Sequence, residues 1–147
     1  MINSVLMVCV GNICRSPMAE VLAKDLFEKA GKKIDIASAG IAALVDHPAD
    51  LYAIEVVDAM YGLDLSQHQG QQLTRQVVSG YDLILTMEKG HVEDIHRLFP
   101  QFLGRVHLVG KWNGDEEVFD PYKKPKYCFE DSLEKIRRGI NAWLRYL

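Results

Sequence analysis

The sequence lacks any hydrophobic run long enough to cross a membrane, since no apolar stretch approaches the roughly 20 residues that a spanning helix needs. A signal peptide is also missing, because no basic region precedes the apolar residues after Met1, and that segment instead predicts a buried strand. The 147 residues include only three cysteines, an odd number that argues against a disulfide scaffold. These absences predict a protein of the reducing cytoplasm.

A marked excess of one charge is absent as well. The chain carries 17 lysines and arginines against 20 aspartates and glutamates, a formal net charge of −3. No bulk positive field therefore attracts nucleic acid or anionic lipid. The composition predicts neither a nucleic-acid partner nor membrane insertion, and any bound anion must be held by a local group of residues.

What the sequence does contain is a regular alternation of short apolar runs and helical patterns. Its length suits one domain, residues 1–147, and no repeat or linker divides it. The alternation predicts an α/β fold with parallel strands and right-handed crossovers. We predict strands at 5–8, 34–38, 83–86 and 106–109, and helices at 17–31, 49–61, just after 74, around 92–98 and at 128–146.

The loop that leaves the first strand has the composition of a phosphate cradle. It comprises residues 9–16, Cys-Val-Gly-Asn-Ile-Cys-Arg-Ser, and we call it the anion loop. A phosphoryl group needs converging backbone N–H groups, and Gly11 and Asn12 tolerate the unusual φ angles of a tight turn. Ser16 before Pro17 predicts a helix start with Ser16 as N-cap, and helix N-termini attract anions. In open parallel sheets, ligands bind beyond the carboxyl ends of the strands, and the anion loop leaves the first strand at that end.

Two side chains of the anion loop predict chemistry as well as binding. Arg15 has the planar fork that binds two phosphate oxygens. The same cationic surroundings favour a thiolate at Cys9, which can attack phosphorus in line, and the Ser16 hydroxyl can donate a hydrogen bond to it. A zinc site is not expected, because Cys9 and Cys14 have no companion pair of ligands and Arg15 would repel the metal. Core packing alone would explain Cys14 equally well.

A proton donor must come from elsewhere in the chain, since phosphate ester cleavage expels a poor leaving group. The best candidate is Asp120, which Pro121 and Tyr122 follow in a turn-rich segment. Pro121 restricts the backbone of Asp120 and helps to aim its carboxylate. The Asp-Pro-Tyr triplet is weak evidence alone and becomes persuasive beside the anion loop.

The anion loop near the N-terminus and Asp-Pro-Tyr near the C-terminus together resemble the low-molecular-weight protein tyrosine phosphatases, over essentially the whole chain. The resemblance implies a three-layer fold, a four-stranded parallel sheet of order 2-1-3-4 with helices on both faces. It also implies a two-step mechanism without metal or cofactor, in which phosphotyrosine in a protein is hydrolysed and phosphate is released. Cys9 becomes phosphorylated while Asp120 protonates the leaving group, and Asp120 then activates water.

The resemblance further assigns roles to individual residues. Arg15 joins Cys9 and Asp120 as catalytic, Asn12 holds the loop through hydrogen bonds, and Cys14 can form a reversible disulfide with oxidised Cys9 in some members. The residues expected to bind substrate are Val10, Gly11, Asn12, Ile13, Cys14, Ser16, Leu44 and Tyr122.

Within the family, the sequence is most similar to the bacterial branch associated with capsule and exopolysaccharide production. Members of that branch act on membrane-bound tyrosine autokinases, so such a kinase is the expected partner. Leu44 stands where eukaryotic relatives commonly have an aromatic residue, which implies a different substrate preference. Gln71 stands where a basic residue is expected, so any role of that basic position is in doubt.

Two other functions stay open at this point. An arsenate reductase of the same fold would share the anion loop, but it needs a relay cysteine pair after the third strand, and residues 81–99 contain no cysteine while Cys128 stands alone. A non-catalytic phosphoprotein-binding module would need neither a nucleophile nor an acid. Both are less consistent with Cys9, Arg15 and Asp120 occurring together.

Several further side chains have an ordinary and a functional interpretation. His68 is predicted to be a surface histidine, with support of the anion loop as the alternative. The lysines at 123, 124 and 126 are predicted to form a solvated turn, with recognition of an acidic phosphotyrosine tail as the alternative. Trp143 is expected in the core, whereas Trp112 could line the cleft with Tyr122.

Overall fold

Four short strands form one parallel sheet in the order β2-β1-β3-β4, as predicted. The computed structural model describes residues 1–147. The strands are β1 (Ser4–Cys9), β2 (Asp35–Gly40), β3 (Leu83–Thr86) and β4 (Val106–Leu108). The helices are α1 (Arg15–Lys29), α2 (Leu51–Tyr61), α3 (Arg75–Ser79), α4 (Lys89–Leu98) and α5 (Lys126–Leu144), with a 3-10 helix at Pro100–Arg105.

Alternate residues of the central strand β1 belong to two different hydrophobic clusters, one on each face of the sheet. Val5 and Met7 belong to a cluster of 25 buried residues that packs against α1, α2 and α5. Leu6 and Val8 belong to a cluster of 8 buried residues that includes Ile95 of α4. Because successive side chains of a strand point to opposite faces, both faces are covered, and the predicted three layers are confirmed.

The element boundaries differ from the prediction at several ends. α1 begins at Arg15 with Cys14 as its N-cap, so the prediction of Ser16 as N-cap is wrong: the Ser16 hydroxyl contacts Cys9 instead of the helix terminus. β2 extends to Gly40 because its last residues continue to pair with β1. α5 starts at Lys126, directly after Pro125, and the 3-10 helix was not predicted.

No helix of the structure combines the length and the apolar character that crossing a membrane requires.

The packing of α5 on the sheet can be tested with two helical glycines. A Cβ at Gly139 of α5 would lie 2.6 Å from the carbonyl oxygen of Val109, whereas a Cβ at Gly90 of α4 would meet nothing within 4 Å. Overpacking costs about 1–3 kcal/mol, while replacing an unhindered helical glycine by alanine gains up to about 1 kcal/mol. We expect Gly139→Ala to lower the free energy of unfolding in urea and Gly90→Ala to raise it. Equal stabilisation by both would contradict the close approach of α5.

Candidate active site

The anion loop connects the carboxyl end of β1 to the N-terminus of α1, and β1 lies between β2 and β3. The strand order reverses at β1, because β2 lies on one side of it and β3 and β4 lie on the other. In an α/β fold, ligands are expected to bind beyond the carboxyl ends of the strands at such a point. β3 ends at the same edge, so the residues that follow it also approach the loop.

Asn12 determines the conformation of the anion loop. Its backbone is left-handed, with φ 57°, so of the two residues expected to tolerate such an angle it is Asn12, and not Gly11, that adopts a positive φ. The fully buried Asn12 side chain is bonded on three sides. Its Nδ2 donates to the Oγ atoms of Ser16 at 2.8 Å and Ser38 at 3.0 Å, and its Oδ1 accepts from the backbone N–H of Gln71 at 2.8 Å.

His68 braces the loop from the segment that precedes Gln71. Its Nε2 lies 2.7 Å from the backbone oxygen of Asn12, so the prediction of a surface histidine is wrong and the alternative, support of the anion loop, is confirmed. Gly40 allows the β2 end to approach closely, because a Cβ there would lie 2.4 Å from the backbone oxygen of Val10. The loop is therefore held from both sides by residues distant in sequence.

Cys9 lies at the end of β1 and is 3% exposed. Its Sγ is 2.9 Å from the Oγ of Ser16. Because that Oγ already accepts a hydrogen bond from Asn12, the Ser16 hydroxyl hydrogen can be directed to the sulfur. The predicted contact between Ser16 and Cys9 is present, and it would stabilise a thiolate as nucleophile and as leaving group.

Arg15 is 2% exposed, and its guanidinium is held by partners that sequence reasoning missed. NH1 donates to Oε2 of Glu88 at 2.5 Å and to the backbone oxygen of Val118 at 2.8 Å. NH2 is 4.0 Å from Oδ2 of Asp120, and the buried Nε has no protein partner. Glu88 comes two residues after β3, so its position at the ligand-binding edge was the signal that could have identified it.

His91, in the first turn of α4, is the second residue that sequence reasoning missed. It is buried, and its Nδ1 accepts a hydrogen bond from the backbone N–H of Glu88 at 3.2 Å. Burial, and next the charge of Arg15, lowers the pKa of His91 below its usual range. His91 is therefore neutral at physiological pH.

A cavity of about 150 Å³ opens above Cys9. Its lining consists of Cys9, Val10, Gly11, Ile13, Cys14, Arg15, Leu44, Asp120 and Tyr122, all of them predicted site residues. The two other predicted residues, Asn12 and Ser16, are fully buried beneath the loop, and their side chains support the cavity without lining it. No group of three or more His, Cys, Asp and Glu side chains is arranged to hold a metal ion.

Asp120 lies at the mouth of this cavity, with its side chain 52% exposed. Its Oδ1 accepts a hydrogen bond from the backbone N–H of Tyr122 at 3.1 Å, which closes a turn around Pro121. The carboxylate therefore has one oxygen fixed by the turn and the other directed to Arg15. This position suits proton transfer to a leaving group above Cys9.

The rim of the cavity is apolar, and Trp112, which was predicted to line it with Tyr122, lies elsewhere. Val10, Leu44 and Tyr122 are each about two-fifths exposed. Trp112 stacks on Tyr146 with ring centroids 4.0 Å apart, so its predicted place beside Tyr122 is wrong, while Trp143 is buried as expected.

The three lysines near Asp120 do not form one cluster. Lys126 pairs with Glu55 at 2.9 Å, whereas the Nζ of Lys123 lies 5.5 Å from the ring centroid of Tyr122. Lys124 contributes to a separate small cavity against α5. Of the three lysines, Lys123 is the one whose side chain lies beside Tyr122 at the rim of the cavity above Cys9.

Comparison with known proteins places the whole chain in one group. The family model for low molecular weight phosphotyrosine protein phosphatase matches residues 4–147. A probable low molecular weight protein-tyrosine-phosphatase EpsP from Ralstonia nicotianae is 42% identical over 144 residues, which cover 98% of this chain and 95% of the relative. The predicted resemblance, including the bacterial branch, is confirmed.

Solved structures agree with this assignment. Vibrio vulnificus Wzb in complex with benzylphosphonate is 41% identical, covers 100% of both chains and has a TM-score of 0.94. The arginine phosphatase YwlE, solved as a cysteine-to-serine mutant with a phosphorylated active-site serine, is 26% identical with a TM-score of 0.92, over 98% of this chain and 95% of that one.

The two cysteines of the anion loop should differ in reactivity. Both are free thiols, and burial, followed by the negative charges of Asp50 and Asp120, raises the pKa of Cys14 far above its usual range. In a Cys128→Ser background at pH 7.5, we expect iodoacetamide to modify Cys9 at least tenfold faster than Cys14, as measured by peptide mass spectrometry. Inorganic phosphate should protect Cys9. Comparable labelling of both thiols would contradict the assignment of Cys14 as an inert buried thiol.

Proposed function

As a member of the low molecular weight phosphotyrosine protein phosphatase family, the chain is a tyrosine phosphatase, and we propose that it acts through a phosphocysteine formed on Cys9. One observation carries the mechanism. The cavity that ends on the Cys9 sulfur is also lined by a buried arginine, Arg15, and by a half-exposed carboxylate, Asp120. These are a nucleophile, an anion-binding cation and a proton donor in a single small space.

Phosphate binding relies on the N–H groups of Arg15 that are not hydrogen-bonded within the protein. NH1 is committed to Glu88 and Val118, whereas the Nε–H has no partner in the protein. Nε and NH2 form one edge of the guanidinium plane, which matches two oxygens of a phosphate. Backbone N–H groups of the anion loop and the N-terminus of α1 supply further donors.

In the first step, the Cys9 thiolate attacks phosphorus and a sulfur–phosphorus bond forms. The bond between phosphorus and the tyrosyl oxygen breaks, and protonated Asp120 gives its proton to that oxygen as it leaves. In the second step, Asp120 takes a proton from water, the water oxygen attacks phosphorus, and the sulfur–phosphorus bond breaks. Inorganic phosphate leaves, and the Ser16 hydroxyl again contacts the freed thiolate.

A covalent intermediate is supported by the relative in which a serine replaces a cysteine and the active-site serine carries phosphate. An oxygen nucleophile that retains the phosphoryl group indicates that attack occurs on phosphorus itself. The same two-step chemistry applied to this chain places the phosphoryl group on Cys9.

The walls of the cavity favour an aryl phosphate as substrate. Val10, Ile13, Leu44 and Tyr122 offer carbon surface at the height of a ring held above the phosphate. An aromatic ring gains from this contact. The complex of the related Wzb with benzylphosphonate, which pairs a phosphorus group with a benzyl ring, supports this preference.

We further propose that the physiological substrate is a tyrosine autokinase of capsule or exopolysaccharide production, as the branch of the family implies. The exposed apolar rim suits a flexible phosphotyrosine-containing segment better than a small phosphorylated metabolite. Lys123 beside Tyr122 could contact acidic residues next to the phosphotyrosine.

The two alternative functions have less support. Cys128 lies on α5 and is half-buried, and no second cysteine accompanies it outside the anion loop, so an arsenate reductase would lack its relay pair. A binding module would not require Asp120 at the mouth of the cavity. The phosphatase is the function that uses all three groups.

Replacing the nucleophile separates binding from hydrolysis. Cys9→Ser should hydrolyse p-nitrophenyl phosphate at least 1000-fold more slowly than the unchanged chain, because a serine hydroxyl is a weaker nucleophile than a thiolate and retains a phosphoryl group once it carries one, while inorganic phosphate still binds. Phosphate release and calorimetric binding measure the two properties. The same variant, added to lysate of the native cell, should retain a phosphorylated tyrosine kinase. Hydrolysis by Cys9→Ser at the unchanged rate would refute the mechanism.

Removing the acid should slow the reaction according to the leaving group. Asp120→Asn keeps the shape of the side chain but cannot donate the proton, so we expect a loss of about 10²–10⁴-fold in kcat/KM for phenyl phosphate, because kcat/KM reports the first step alone. The loss should be smaller for p-nitrophenyl phosphate, whose leaving group needs less protonation. Asp115→Asn is the matched control, since Asp115 is an exposed aspartate that does not line the cavity. Equal losses for both substrates would exclude Asp120 as the acid.

A further inference from the structure

His91 occupies an unusual position, because it is a buried histidine in contact with the carboxylate that holds Arg15. Its side chain is 6% exposed, and its Nε2 lies 3.4 Å from Oε2 of Glu88. The same Oε2 accepts from NH1 of Arg15 at 2.5 Å. One carboxylate oxygen thus lies between an imidazole and the guanidinium proposed to bind phosphate.

The tautomer of His91 follows from its partners. The backbone N–H of Glu88 can only donate, so Nδ1 must be the acceptor of their 3.2 Å hydrogen bond. A neutral imidazole carries its single hydrogen on the other nitrogen. Nε2 therefore carries the hydrogen and lies 3.4 Å from Oε2 of Glu88, a polar contact longer than the hydrogen bond to Nδ1.

Burial and the charge of Arg15 favour the neutral form of His91 and outweigh the three carboxylates around it, which favour the protonated form. The charged groups that act on it are Glu88, the N-cap of α4, Asp94 of α4, Arg15 of α1 and Asp120 of the segment before α5. Burial is the largest influence and the charge of Arg15 the next, and both lower the pKa of His91. A protonated ring would lose the acceptor that the backbone N–H needs.

The carboxylate of Glu88 has one more donor, because Glu88 is the N-cap of α4 and its 27% exposed side chain also accepts from the backbone N–H of His91. The backbone N–H of His91 holds the carboxylate at the start of α4, whereas Nε2 of His91 contacts the oxygen that also accepts from Arg15. Two donors from different helices converge on Oε2, which keeps NH1 of Arg15 turned toward Glu88 and its Nε edge turned away.

We propose that His91 is a positioning residue for anion binding, which acts by holding the Glu88 carboxylate so that Arg15 presents its Nε and NH2 to the phosphoryl group. This inference rests on the proposed function and names a residue that determines how well its site is organised. His91 does not touch the substrate, and its whole effect passes through Glu88.

Two substitutions separate this role from a purely structural one. In His91→Gln, the side-chain oxygen can accept the backbone N–H of Glu88 while the amide nitrogen donates to the carboxylate. In His91→Glu, the acceptor for the backbone N–H is kept, but the donor is lost and a second carboxylate faces Glu88. Both keep a favourable residue at the third position of a helix, so a simple role in starting α4 predicts little difference between them.

The measurement is the Kd of inorganic phosphate by calorimetry, together with kcat/KM for p-nitrophenyl phosphate. We expect His91→Gln to remain within about threefold of the unchanged chain, and His91→Glu to bind phosphate at least tenfold more weakly, the scale of one hydrogen bond to a charged group. Equal phosphate affinity of the two variants would overturn the proposal.

A double-mutant cycle covers the case in which His91→Glu does not fold. His91→Leu removes both side-chain contacts of His91, and Glu88→Gln removes the charge through which His91 acts. We expect His91→Leu to weaken phosphate binding about tenfold alone and by less than twofold when Glu88 is already glutamine. Additive losses would assign His91 a role independent of Glu88 and would overturn the proposal. If the variants follow this pattern in phosphate binding but the unchanged chain hydrolyses no aryl phosphate, only the proposed function fails.

Discussion

The site depends on the left-handed backbone of Asn12, which is fixed by the hydrogen bonds of its own side chain. A residue with a Cβ resists this conformation by about 1–2 kcal/mol, and the buried bonds to Ser16, Ser38 and Gln71 offset that cost. Because Ser16 also faces the Cys9 sulfur, the shape of the anion loop and the surroundings of the thiol are determined together.

Burial of Arg15 is the second constraint, and it explains how a chain with a net charge of −3 can bind an anion. Taking a guanidinium out of water costs several kcal/mol unless its N–H groups are paired. Glu88 and the Val118 carbonyl satisfy one nitrogen, and the rest of the fork remains for the ligand. A cation held this way needs no rearrangement when phosphate arrives, which is the condition for electrostatic preorganisation.

The floor and the rim of the cavity differ in how deeply their residues are buried. At the floor, Cys9 and Arg15 are almost fully buried and bonded to partners from several elements, so substitutions there disturb the fold as well as the chemistry. At the rim, the side chains of Val10, Leu44 and Tyr122 are partly exposed and none of them forms a hydrogen bond to the floor. The rim can therefore change between relatives and alter substrate preference without affecting phosphate transfer.

Local sequence determined the order of strands and helices, because hydrophobic periodicity depends on residues close together in the chain. It also determined the eight-residue loop, because Cys9 and Arg15 lie within that one short segment. The partners of that loop could not be predicted in this way. His68 and Gln71 reach Asn12 across 56 and 59 residues, and Glu88 and Val118 reach Arg15 across 73 and 103. Only the parallel sheet brings these segments to one edge, so tertiary structure alone decided how the arginine, and the histidine behind it, are held.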